Sequence, residues 1–478
     1  MTATYTELGL YIDGKWSAGS GGNSEPVINP ATEEVLGHVP HASRADLDRA
    51  LTAAQRAFPA WRDTSLETRT KVLLTAARLV RERASRIGEI MTMEQGKALS
   101  EARGEATRVA GTLQWDAEEA RRAYGRIIPY DATSDIHILK QPVGPVAAFT
   151  PWNFPAGSPM RKIAAAVSAG CSIIIKASEE TPGTACELVR CFDEAGLPPG
   201  VLNLVFGVPA EVSQHLITSP ITRMVAFTGS IPVGKQLASL SASLMKPNMM
   251  ELGGHAPVIV CADADPVHAA KTAAIAKFIN AGQVCTSPSR FLVHESIVEK
   301  FTATLVEAAT SLKVGNGLEP GVQMGPLANA RRLAAVEAMV TDAVQRGAKV
   351  LCGGRRIGTR GFFYEPTVLI NVPDNSQMMC NEPFGPVAPI RSFASLDEAI
   401  ELANSLQYGL AAYAYTKSTA TANALMRRLE AGIMSINHCG GSVVEAPSGG
   451  VKESGYGREG GAEGLEGYLI TKRVFFKY

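Results

Sequence analysis

The strongest constraint on the fold is a regular alternation of strand-like and helical runs that begins near Pro142. The strand-like runs are short and largely apolar: "PVAAFT", "SIIIKA", "VLNLVFG", "RMVAFTG" and "NMMELGG". Helical stretches such as "TPGTACELVRCFDEAGL" separate them, and the repeat of about 25 residues is the length that a crossover between parallel strands requires. The alternation predicts an α/β fold with a doubly wound parallel sheet.

The regions around this alternation have different patterns. Residues 43–125 carry three helical patterns, and the first opens with Ser43 three residues before Asp46, in the manner of a capping box. After Gly254 a new alternation of helices and strands predicts a second α/β unit. Two further segments, "IIPYDATSDIHILKQ" and "YLITKRVFFKY", are β-rich and belong to neither unit. Because unpaired strand edges are a liability, we expect these two segments to pair, within or between subunits.

Length, charge and cysteine content favour one class of partner. The chain has 478 residues, which predicts two or three packed units. Lys plus Arg and Asp plus Glu are each 46, and no basic run suggests nucleic acid or an anionic membrane. The apolar stretch 163–175 is too short for a membrane span, the N-terminus lacks a signal-peptide pattern, and the eight cysteines show no metal or disulfide spacing. We therefore expect a soluble, cytoplasmic protein with a small-molecule partner, no membrane or nucleic-acid partner and no metal.

Cys285, in "KFINAGQVCTSPSR", is the first candidate for chemistry. It lies between a predicted helix and a predicted strand, and reactive groups are often placed on such connections. Most free cysteines are instead buried and inert, and the C-terminus of a helix does not lower a thiol pKa. A nucleophilic Cys285 therefore needs a base or a bound cation from elsewhere in the chain.

Two other segments offer such partners. Glu251 ends the strand-like "NMMELGG" and is a candidate base, although glutamates at strand ends are more often solvated surface charges. Asn153 lies in "FTPWNFP", where two prolines fix the backbone and make its amide a rigid donor. The alternative for Asn153 is an ordinary turn former.

Three loops have features of a nucleotide site. "FTGSIPVG", residues 227–234, has a glycine-bearing turn before a helix that suits a phosphate, although it lacks a full GxGxxG. Lys176 and Glu179 follow another strand end and are suited to ribose hydroxyls, while an ordinary helix entry would show the same pattern. Glu382, in "NEPFGPV", lies in a Pro/Gly turn beside an aromatic residue and is equally compatible with a plain loop.

The joint order of the motifs is more specific than any one of them. "PWNFP", "KASEETP", "FTGSIPVG", "MELGG", "GQVCTS", "NEPFGPV" and "PSGGVKESGYGREG" follow one another as in the NAD(P)-dependent aldehyde dehydrogenase superfamily, which the chain resembles over nearly its whole length. The resemblance implies the aldehyde dehydrogenase fold: a Rossmann-like parallel-sheet NAD-binding domain (1–122 and 143–252), a second α/β catalytic domain (253–444) and a small β oligomerisation element (123–142 and 459–478).

The resemblance also implies a reaction and its catalytic residues. Cys285 would attack the aldehyde carbon to give a thiohemiacetal, and Asn153 with the Cys285 backbone N–H would form the oxyanion hole. Transfer of hydride to the nicotinamide would leave a thioester, and Glu251 would activate the water that hydrolyses it. Lys162 matches a residue of the family's proton-relay region.

For the cofactor, the resemblance places the adenosine ribose, the pyrophosphate and the nicotinamide ribose on separate loops. A carboxylate at Glu179 accepts bonds from a 2′-hydroxyl and repels a 2′-phosphate, so NAD is expected over NADP. The residues that the resemblance assigns to cofactor binding are Thr150, Trp152, Lys176, Ser178, Glu179, Gly229, Ser230, Gly234, Leu252, Glu382 and Phe384.

The motifs are most similar to the succinate-semialdehyde dehydrogenase-like branch, where two arginines and a serine hold the remote carboxylate of the substrate. Arg161 and Ser442 occupy two of these positions, but Ile279 stands where the second arginine is expected, and Ser448 replaces a phenylalanine. Loss of one bidentate contact argues against a dicarboxylic-type semialdehyde and favours a more apolar or aromatic aldehyde. The residues expected to line the substrate site are Phe154, Arg161, Ile279, Thr286, Ser442 and Ser448.

Alternatives to hydrolytic, NAD-linked oxidation remain at this point. One is a CoA-acylating enzyme, in which a thiol takes the acyl group; the presence of Glu251 argues against it. Another is a catalytically idle structural or binding protein that keeps the fold; the joint presence of Asn153, Glu251, Cys285 and Glu382 argues against that. The two extra β segments predict a homodimer or a homotetramer.

Overall fold

The computed structural model describes residues 4–440 and 443–478. Its strands are β1 (Leu10–Ile12), β2 (Lys15–Ser17), β3 (Ser24–Ile28), β4 (Val35–Pro40), β5 (Arg126–Asp131), β6 (Ser134–Pro142), β7 (Val146–Phe149), β8 (Ile173–Lys176), β9 (Leu202–Val205), β10 (Met224–Thr228), β11 (Asn248–Glu251), β12 (Ala256–Val260), β13 (Pro288–His294), β14 (Lys349–Cys352), β15 (Thr367–Ile370), β16 (Val387–Phe393), β17 (Ala411–Tyr415), β18 (Ile433–Ile436), β19 (Gly455–Tyr456) and β20 (Leu469–Lys477).

Helices connect most of these strands. They are α1 (Arg44–Asp63), α2 (Leu66–Glu82), α3 (Ala84–Gln95), α4 (Leu99–Glu119), α5 (Gly157–Ala169), α6 (Pro182–Glu194), α7 (Pro209–Thr218), α8 (Ile231–Ser243), α9 (Pro266–Phe278), α10 (Val298–Thr310), α11 (Ala330–Gln345), α12 (Gln377–Cys380), α13 (Leu396–Asn404), α14 (Thr419–Arg428) and α15 (Gly461–Glu466). In the described ranges, none of the helices is long and apolar enough to cross a membrane.

The first sheet is the predicted parallel one. Its strand order is β19-β11-β10-β7-β8-β9-β1-β2, and the five strands from β11 to β9 run parallel to one another. The residues of β7, β8 and β9 are buried on both faces, as expected for a sheet covered by helices on each side. At the two ends of the sheet, β19 pairs antiparallel with β11, and β1 pairs antiparallel with both β9 and β2. The sequence analysis did not predict the short strands β1 to β4.

The second sheet has the order β14-β15-β16-β13-β12-β17-β18 and is parallel from β15 to β18. Helices pack on both faces, because alternate residues of β12 enter two different apolar clusters: Val258 and Val260 in one, Ile259 in the other. The larger cluster contains α9 residues such as Phe278. This arrangement confirms the second α/β unit of the predicted fold.

Helices α1 to α4 form the predicted helical layer, but the second of the three predicted helical patterns is divided at Arg83 into α2 and α3. Ser43 and Asp46 make a capping box at the start of α1, as the sequence predicts. Trp61, near the end of α1, is buried, and its indole N–H donates to the Val167 carbonyl of α5 at 2.9 Å. The layer is thereby fixed to the helix that follows β7.

The two β-rich segments pair with each other. Strands β20, β6 and β5 form a three-stranded antiparallel sheet, and β6 and β20 share nine residue pairs. This sheet exposes large apolar side chains, among them Ile127, Tyr130, Phe475 and Tyr478. Exposed apolar surface of this kind is typical of a contact with another protein surface. Its role in oligomerisation stays a prediction.

Candidate functional site

The candidate residues gather where parallel strands end. Strand β7 ends at Phe149, β8 at Lys176 and β11 at Glu251, and Asn153 follows β7 by four residues. Because the carboxyl ends of parallel strands meet at one edge of a sheet, these side chains share one cleft. Cys285 enters the cleft from the turn between α9 and β13.

Close backbone contacts bring Cys285 to the end of β11. A Cβ placed on Gly254 would lie 2.5 Å from the Cys285 carbonyl oxygen, so only glycine fits there. Burial, together with the charges of Glu382 and Glu251, raises the pKa of the Cys285 thiol to about 12, and the charge of Arg161 opposes this rise. The protein alone therefore holds Cys285 as a thiol, and its ionisation needs a base or a cation in the cleft.

Glu251 is a candidate base whose charge acts on Cys285. It is buried, and its Oε1 has no hydrogen-bond partner within the described parts of the chain. A Cβ on Gly449 would lie 2.8 Å from this oxygen, so the glycine leaves the carboxylate accessible. Burial raises the pKa of Glu251 well above its usual value, and Glu459 adds to this, while Lys162 and Arg161 oppose it. The raised pKa makes the ionised carboxylate a better proton acceptor than that of an ordinary glutamate.

Lys162 pairs with Glu459, a residue that was not predicted from the sequence, and its charge acts on Glu251. Its ammonium group donates to Glu459 Oε1 at 2.6 Å and to Thr228 Oγ1 at 2.5 Å, and the pair is buried. Glu459 belongs to "SGYGREG", the end of an ordered motif, but its carboxylate is not among the predicted catalytic residues. The site thus contains two carboxyl groups and one ammonium group within electrostatic reach of one another.

Asn153 faces the nucleophile turn. Its Nδ2 donates one hydrogen to the Gln283 carbonyl oxygen at 3.0 Å, two residues before Cys285. An amide nitrogen has two hydrogens, so one N–H stays available for a ligand. Asn153 is buried, and its orientation is set by protein contacts.

Lys176 and Glu179 lie at the end of β8, as predicted, and form a buried ion pair. The other carboxylate oxygen of Glu179 accepts from Gly207 N–H at 2.9 Å. Thr150 Oγ1 is buried and has no partner among the described residues, so it has a free hydroxyl group for a ligand. Ser178 Oγ accepts from the Glu180 N–H at 3.3 Å. These residues fit the hydroxyl groups of a nucleotide ribose.

The turn after β10 fits a phosphate. Ser230 is the N-cap residue of α8, and its side chain makes no capping hydrogen bond. Gly229 donates its N–H to the Glu251 carbonyl at 3.0 Å, and a Cβ on Gly234 would lie 2.4 Å from Leu252 Cδ2. The free amides of a helix N-terminus bind anions, so this turn could hold a pyrophosphate.

Glu382 comes from the second α/β unit and contacts the end of β11. Gly254 N–H donates to its Oε1 at 3.1 Å, and a Cβ on Gly253 would lie 2.5 Å from its Oε2. Burial raises the pKa of Glu382 to about 7, opposed by the Gly254 hydrogen bond and by the charges of Arg332 and Lys277. The motif containing Glu251 and the motif containing Glu382 are therefore in direct contact.

Phe384 and Trp152 enclose this end of the cleft. Their rings meet edge to face with centroids 5.5 Å apart. Phe384 has a φ of 44°, and Arg332, which the sequence analysis missed, donates to the carbonyl oxygens of Pro383 and Phe384. Arg332 thereby fixes a strained turn that carries an aromatic wall.

The predicted substrate residues differ in their exposure and in their contacts. Arg161 is close enough for its charge to act on both Cys285 and Glu251. Ile279 is 39% exposed, on a short helical turn six residues before Cys285. The Thr286 carbonyl accepts from Tyr413 Oη at 2.7 Å.

The remaining substrate residues lie on two other segments. Phe154 packs its ring under Lys97 Nζ, 4.4 Å from the ring centroid. Ser448 pairs its backbone with Glu459 at 2.7 and 2.8 Å and is partly exposed. Ser442 lies outside the described residues.

Comparisons with known proteins agree with this geometry. The model of the aldehyde dehydrogenase family matches residues 16–474. A 4-(hydroxymethyl)benzenesulfonate dehydrogenase of Comamonas testosteroni is 47% identical over 99% of both chains. A succinate-semialdehyde dehydrogenase [NADP(+)] of Escherichia coli is 40% identical over 96% of each chain. The crystal structure of an NAD-dependent aldehyde dehydrogenase from Sinorhizobium meliloti is 35% identical, with a TM-score of 0.97 over 100% of this chain and 96% of that one.

These likenesses extend over almost the whole chain and include both α/β units. They confirm the resemblance and the fold that the ordered motifs predict. The relatives include enzymes named for NAD and for NADP. The chain therefore belongs to the aldehyde dehydrogenase family, and it is an enzyme that oxidises an aldehyde to its carboxylic acid with a nicotinamide cofactor.

Proposed function

We propose that the protein is a hydrolytic, NAD-preferring aldehyde dehydrogenase in which Cys285 is the nucleophile, Asn153 an oxyanion donor and Glu251 the base. The buried Oε1 of Glu251, which has no hydrogen-bond partner among the described residues, supports this most directly. Glu251 ends β11, and Gly254, three residues later, packs against the Cys285 carbonyl oxygen. A water-activating base needs such a free oxygen, whereas a structural carboxylate would be satisfied by protein donors.

The first half of the reaction forms a bond to sulfur. Glu251 accepts the thiol proton, and the Cys285 thiolate adds to the aldehyde carbon to give a thiohemiacetal. The charge that develops on the carbonyl oxygen is stabilised by the second amide hydrogen of Asn153 and by the Cys285 backbone N–H. When bound, a nicotinamide cofactor supplies the hydride acceptor, and loss of hydride from the thiohemiacetal leaves a thioester on Cys285.

The second half releases the acid. After Glu251 has released the thiol proton to solvent, it takes a proton from a water molecule. The hydroxide adds to the thioester carbon, and the carbon–sulfur bond breaks to return the Cys285 thiolate. The carboxylic acid leaves, and the proton held by Glu251 passes to the Cys285 thiolate, which restores the thiol. The raised pKa of Glu251 makes its ionised carboxylate a stronger proton acceptor than that of an exposed glutamate.

For the cofactor, the ion pair of Lys176 and Glu179 supports a preference for NAD. Glu179 can accept a hydrogen bond from a 2′-hydroxyl, and its charge opposes a 2′-phosphate. Lys176 is already paired with Glu179, so it is not free to bind that phosphate. Thr150 with Ser178, Ser230 at the start of α8, and Glu382 with Phe384 would hold the rest of the dinucleotide.

For the substrate, the residues support an aldehyde with an apolar or aromatic body and one remote anion. Arg161 supplies one cation near Cys285, and the exposed Ile279 supplies apolar surface where a second arginine would serve a dicarboxylic-type substrate. A relative named for a benzenesulfonate is consistent with this combination of an aromatic ring and an anion.

A substrate panel tests the proposal. NADH formation is followed by absorbance with 4-formylbenzenesulfonate, benzaldehyde, an aliphatic aldehyde and succinic semialdehyde, each with and without CoA. We expect kcat/KM to be highest for the aromatic anion, without a requirement for CoA. A preference for succinic semialdehyde by orders of magnitude would refute the role of Ile279, strict dependence on CoA would refute hydrolysis, and inactivity on the whole panel would favour a non-catalytic protein.

Glu251→Gln tests the base directly. The amide cannot take a proton from water, whereas the Cys285 thiol can still ionise beside the cationic cofactor. We therefore expect turnover to fall about 10²- to 10⁴-fold and the thioester to accumulate. Intact mass spectrometry after one turnover should show Cys285 acylated. Unchanged steady-state turnover would assign water activation to another group.

We also infer that the sheet of β5, β6 and β20 is a subunit contact of a homodimer or homotetramer. The exposed Ile127, Tyr130, Phe475 and Tyr478 support this, because apolar side chains of this size are rarely left in water together. The balanced charge of the chain and its eight free cysteines support a cytoplasmic location. Sedimentation of the purified protein, with Phe475→Glu as the disrupting variant, measures the assembly.

A further inference from the structure

A buried polar network lies beneath the two catalytic loops. It starts with Gln95, the last residue of α3, and Lys97, in the connection to α4, which are 0% and 2% exposed. It also includes Glu105 of α4, 2% exposed. Buried ionic and amide side chains are costly unless each is satisfied, so such a network usually has a specific purpose. The reaction proposed above gives none of these three residues a role.

Lys97 is bound to the loop that carries Asn153. Its ammonium group donates to the Asn153 carbonyl oxygen at 2.9 Å and to Glu105 Oε2 at 2.6 Å, and it lies over the Phe154 ring. The same Asn153 carbonyl accepts from Asn280 Nδ2 at 2.9 Å. The backbone carbonyl group of Asn153 is therefore held by two buried donors.

Glu105 fixes the other end of this loop. Its second oxygen, Oε1, accepts from the N–H of Ala156 at 3.0 Å and from the N–H of Gly157 at 2.9 Å. These amides belong to the start of α5, where a negative charge is stabilised by the helix dipole. The Lys97–Glu105 pair thus spans the Asn153 loop from residue 153 to residue 157.

Gln95 joins the same network to the nucleophile turn. Its Oε1 accepts from the Lys97 backbone N–H at 3.0 Å, and its Nε2 donates to Asn280 Oδ1 at 2.8 Å. Asn280 has a φ of 52°, and its Nδ2 also donates to the Gln283 carbonyl at 3.2 Å. The Gln283 carbonyl is the same oxygen that accepts from the Asn153 side chain. One network therefore sets both the Asn153 amide and the turn that carries the nucleophile.

We propose that Lys97 is a positioning residue for the oxyanion hole: with Glu105 and Gln95 it fixes the Asn153 amide relative to the Cys285 turn. This inference rests on the proposed role of Asn153. An oxyanion donor acts only if it is held at the position where charge develops, and a displacement of about 1 Å can cost about 10²-fold in rate. Lys97 does not touch the reacting atoms, so its effect must pass through Asn153.

The test is a double-mutant cycle of Lys97→Met and Asn153→Ala. We expect Asn153→Ala to lower kcat about 10²- to 10³-fold and Lys97→Met to lower it about 10- to 10²-fold. In the Asn153→Ala background, Lys97→Met should change kcat less than about threefold, because the group it positions is gone. Equal effects in both backgrounds, or no effect in either, would overturn the proposal.

Removing Lys97 alone leaves the Glu105 carboxylate buried without its partner, which can destabilise the fold. The double variant Lys97→Met/Glu105→Gln removes both charges and keeps an oxygen that can accept from Ala156 and Gly157. It enters the same cycle with Asn153→Ala, with the same expected non-additivity. Additive losses for this variant also would overturn the proposal.

A second measurement separates positioning from general damage. Alkylation of Cys285 by iodoacetamide requires an accessible thiol but develops no oxyanion, so its rate should stay within about twofold in the Lys97 variants, as should the Kd of NAD. A parallel loss of alkylation rate, NAD affinity and kcat would show a disordered site and would overturn the proposal. If Asn153→Ala itself leaves kcat unchanged, the proposed role of Asn153 is wrong, and with it the premise for Lys97.

Discussion

The cofactor end and the substrate end of the cleft are built in different ways. At the cofactor end, Lys176 and Glu179 lie at the end of a central buried strand, and each has a short polar contact inside the protein. At the substrate end, Ile279 lies on a short helical turn with 39% of its surface exposed, and Ser448 is held by backbone hydrogen bonds to Glu459.

This difference separates what the fold fixes from what it leaves adjustable. Residues at the ends of parallel strands inherit the rigidity of the sheet, which suits a cofactor shared by many reactions. Residues on turns can be exchanged without changing the sheet, which suits discrimination among aldehydes. Cys285 lies between the two ends, since its turn approaches both the Glu251 strand and the Glu382 loop.

Cys285→Ala should give the largest effect and separate the two ends. Without the thiol no bond to the aldehyde carbon forms, so we expect NADH formation to fall at least about 10⁴-fold. Binding of NAD, measured by fluorescence titration, should be unchanged, because the cofactor end does not depend on the thiol. Cys352→Ala is the matched control, since this cysteine lies in β14 of the second sheet. Retained turnover in Cys285→Ala would remove the residue from its role.

Glu179→Gln should alter the cofactor end alone. The amide can still accept a hydrogen bond from a 2′-hydroxyl, but it no longer repels a 2′-phosphate, and Lys176 becomes free to pair with that phosphate. We expect the ratio of kcat/KM for NADP to that for NAD to rise about 10- to 10²-fold. Glu180→Gln is the matched control, because Glu180 is paired with Arg331 and Asn329. A ratio that rises equally in both variants would contradict the assignment.

The same contrast explains how much could be predicted from the sequence. Glu251 and Lys176 were predictable because each ends a strand of a recognisable parallel sheet, and the expected strand ends place them on one edge. Glu459 was not, because its contact with Lys162 joins residues 297 positions apart, and no local pattern encodes such a pairing. The hydrogen bond from Lys97 to the Asn153 carbonyl oxygen could not be predicted either, because Lys97 lies in a connection whose sequence looks like an ordinary helix end.

Ile279→Arg should change the substrate end alone. A second cation beside Arg161 would favour a dicarboxylic-type semialdehyde, so kcat/KM for succinic semialdehyde should rise about tenfold relative to that for benzaldehyde. Ile275→Arg is the matched control, because Ile275 is exposed on α9 one turn earlier. The Kd of NAD should be unchanged in both variants. An equal gain in Ile275→Arg would show a general charge effect and not a substrate contact.

The smallest effect we expect is a shift in the pH dependence of kcat. It tests whether the base is Glu251, at the end of a strand of the first sheet. A protonated Glu251 cannot act as a base, so kcat should fall as the pH drops below its pKa, which burial and Glu459 raise. Glu459→Gln removes a charge that raises this pKa and releases the Lys162 ammonium that lowers it. The acidic limb of the profile should therefore move about one unit to lower pH.

Lys162→Met should move the same limb in the opposite direction. It removes a cation that lowers the pKa of Glu251, so the carboxyl group would stay protonated to higher pH. The acidic limb should therefore move about one unit to higher pH. Both profiles are measured at saturating NAD and aldehyde, so that the profile reports the enzyme with its substrates bound. Limbs that move together, or that stay in place, would mean that the limb belongs to a different group. Opposite shifts would assign it to Glu251, because Lys162 and Glu459 act on its pKa with opposite signs.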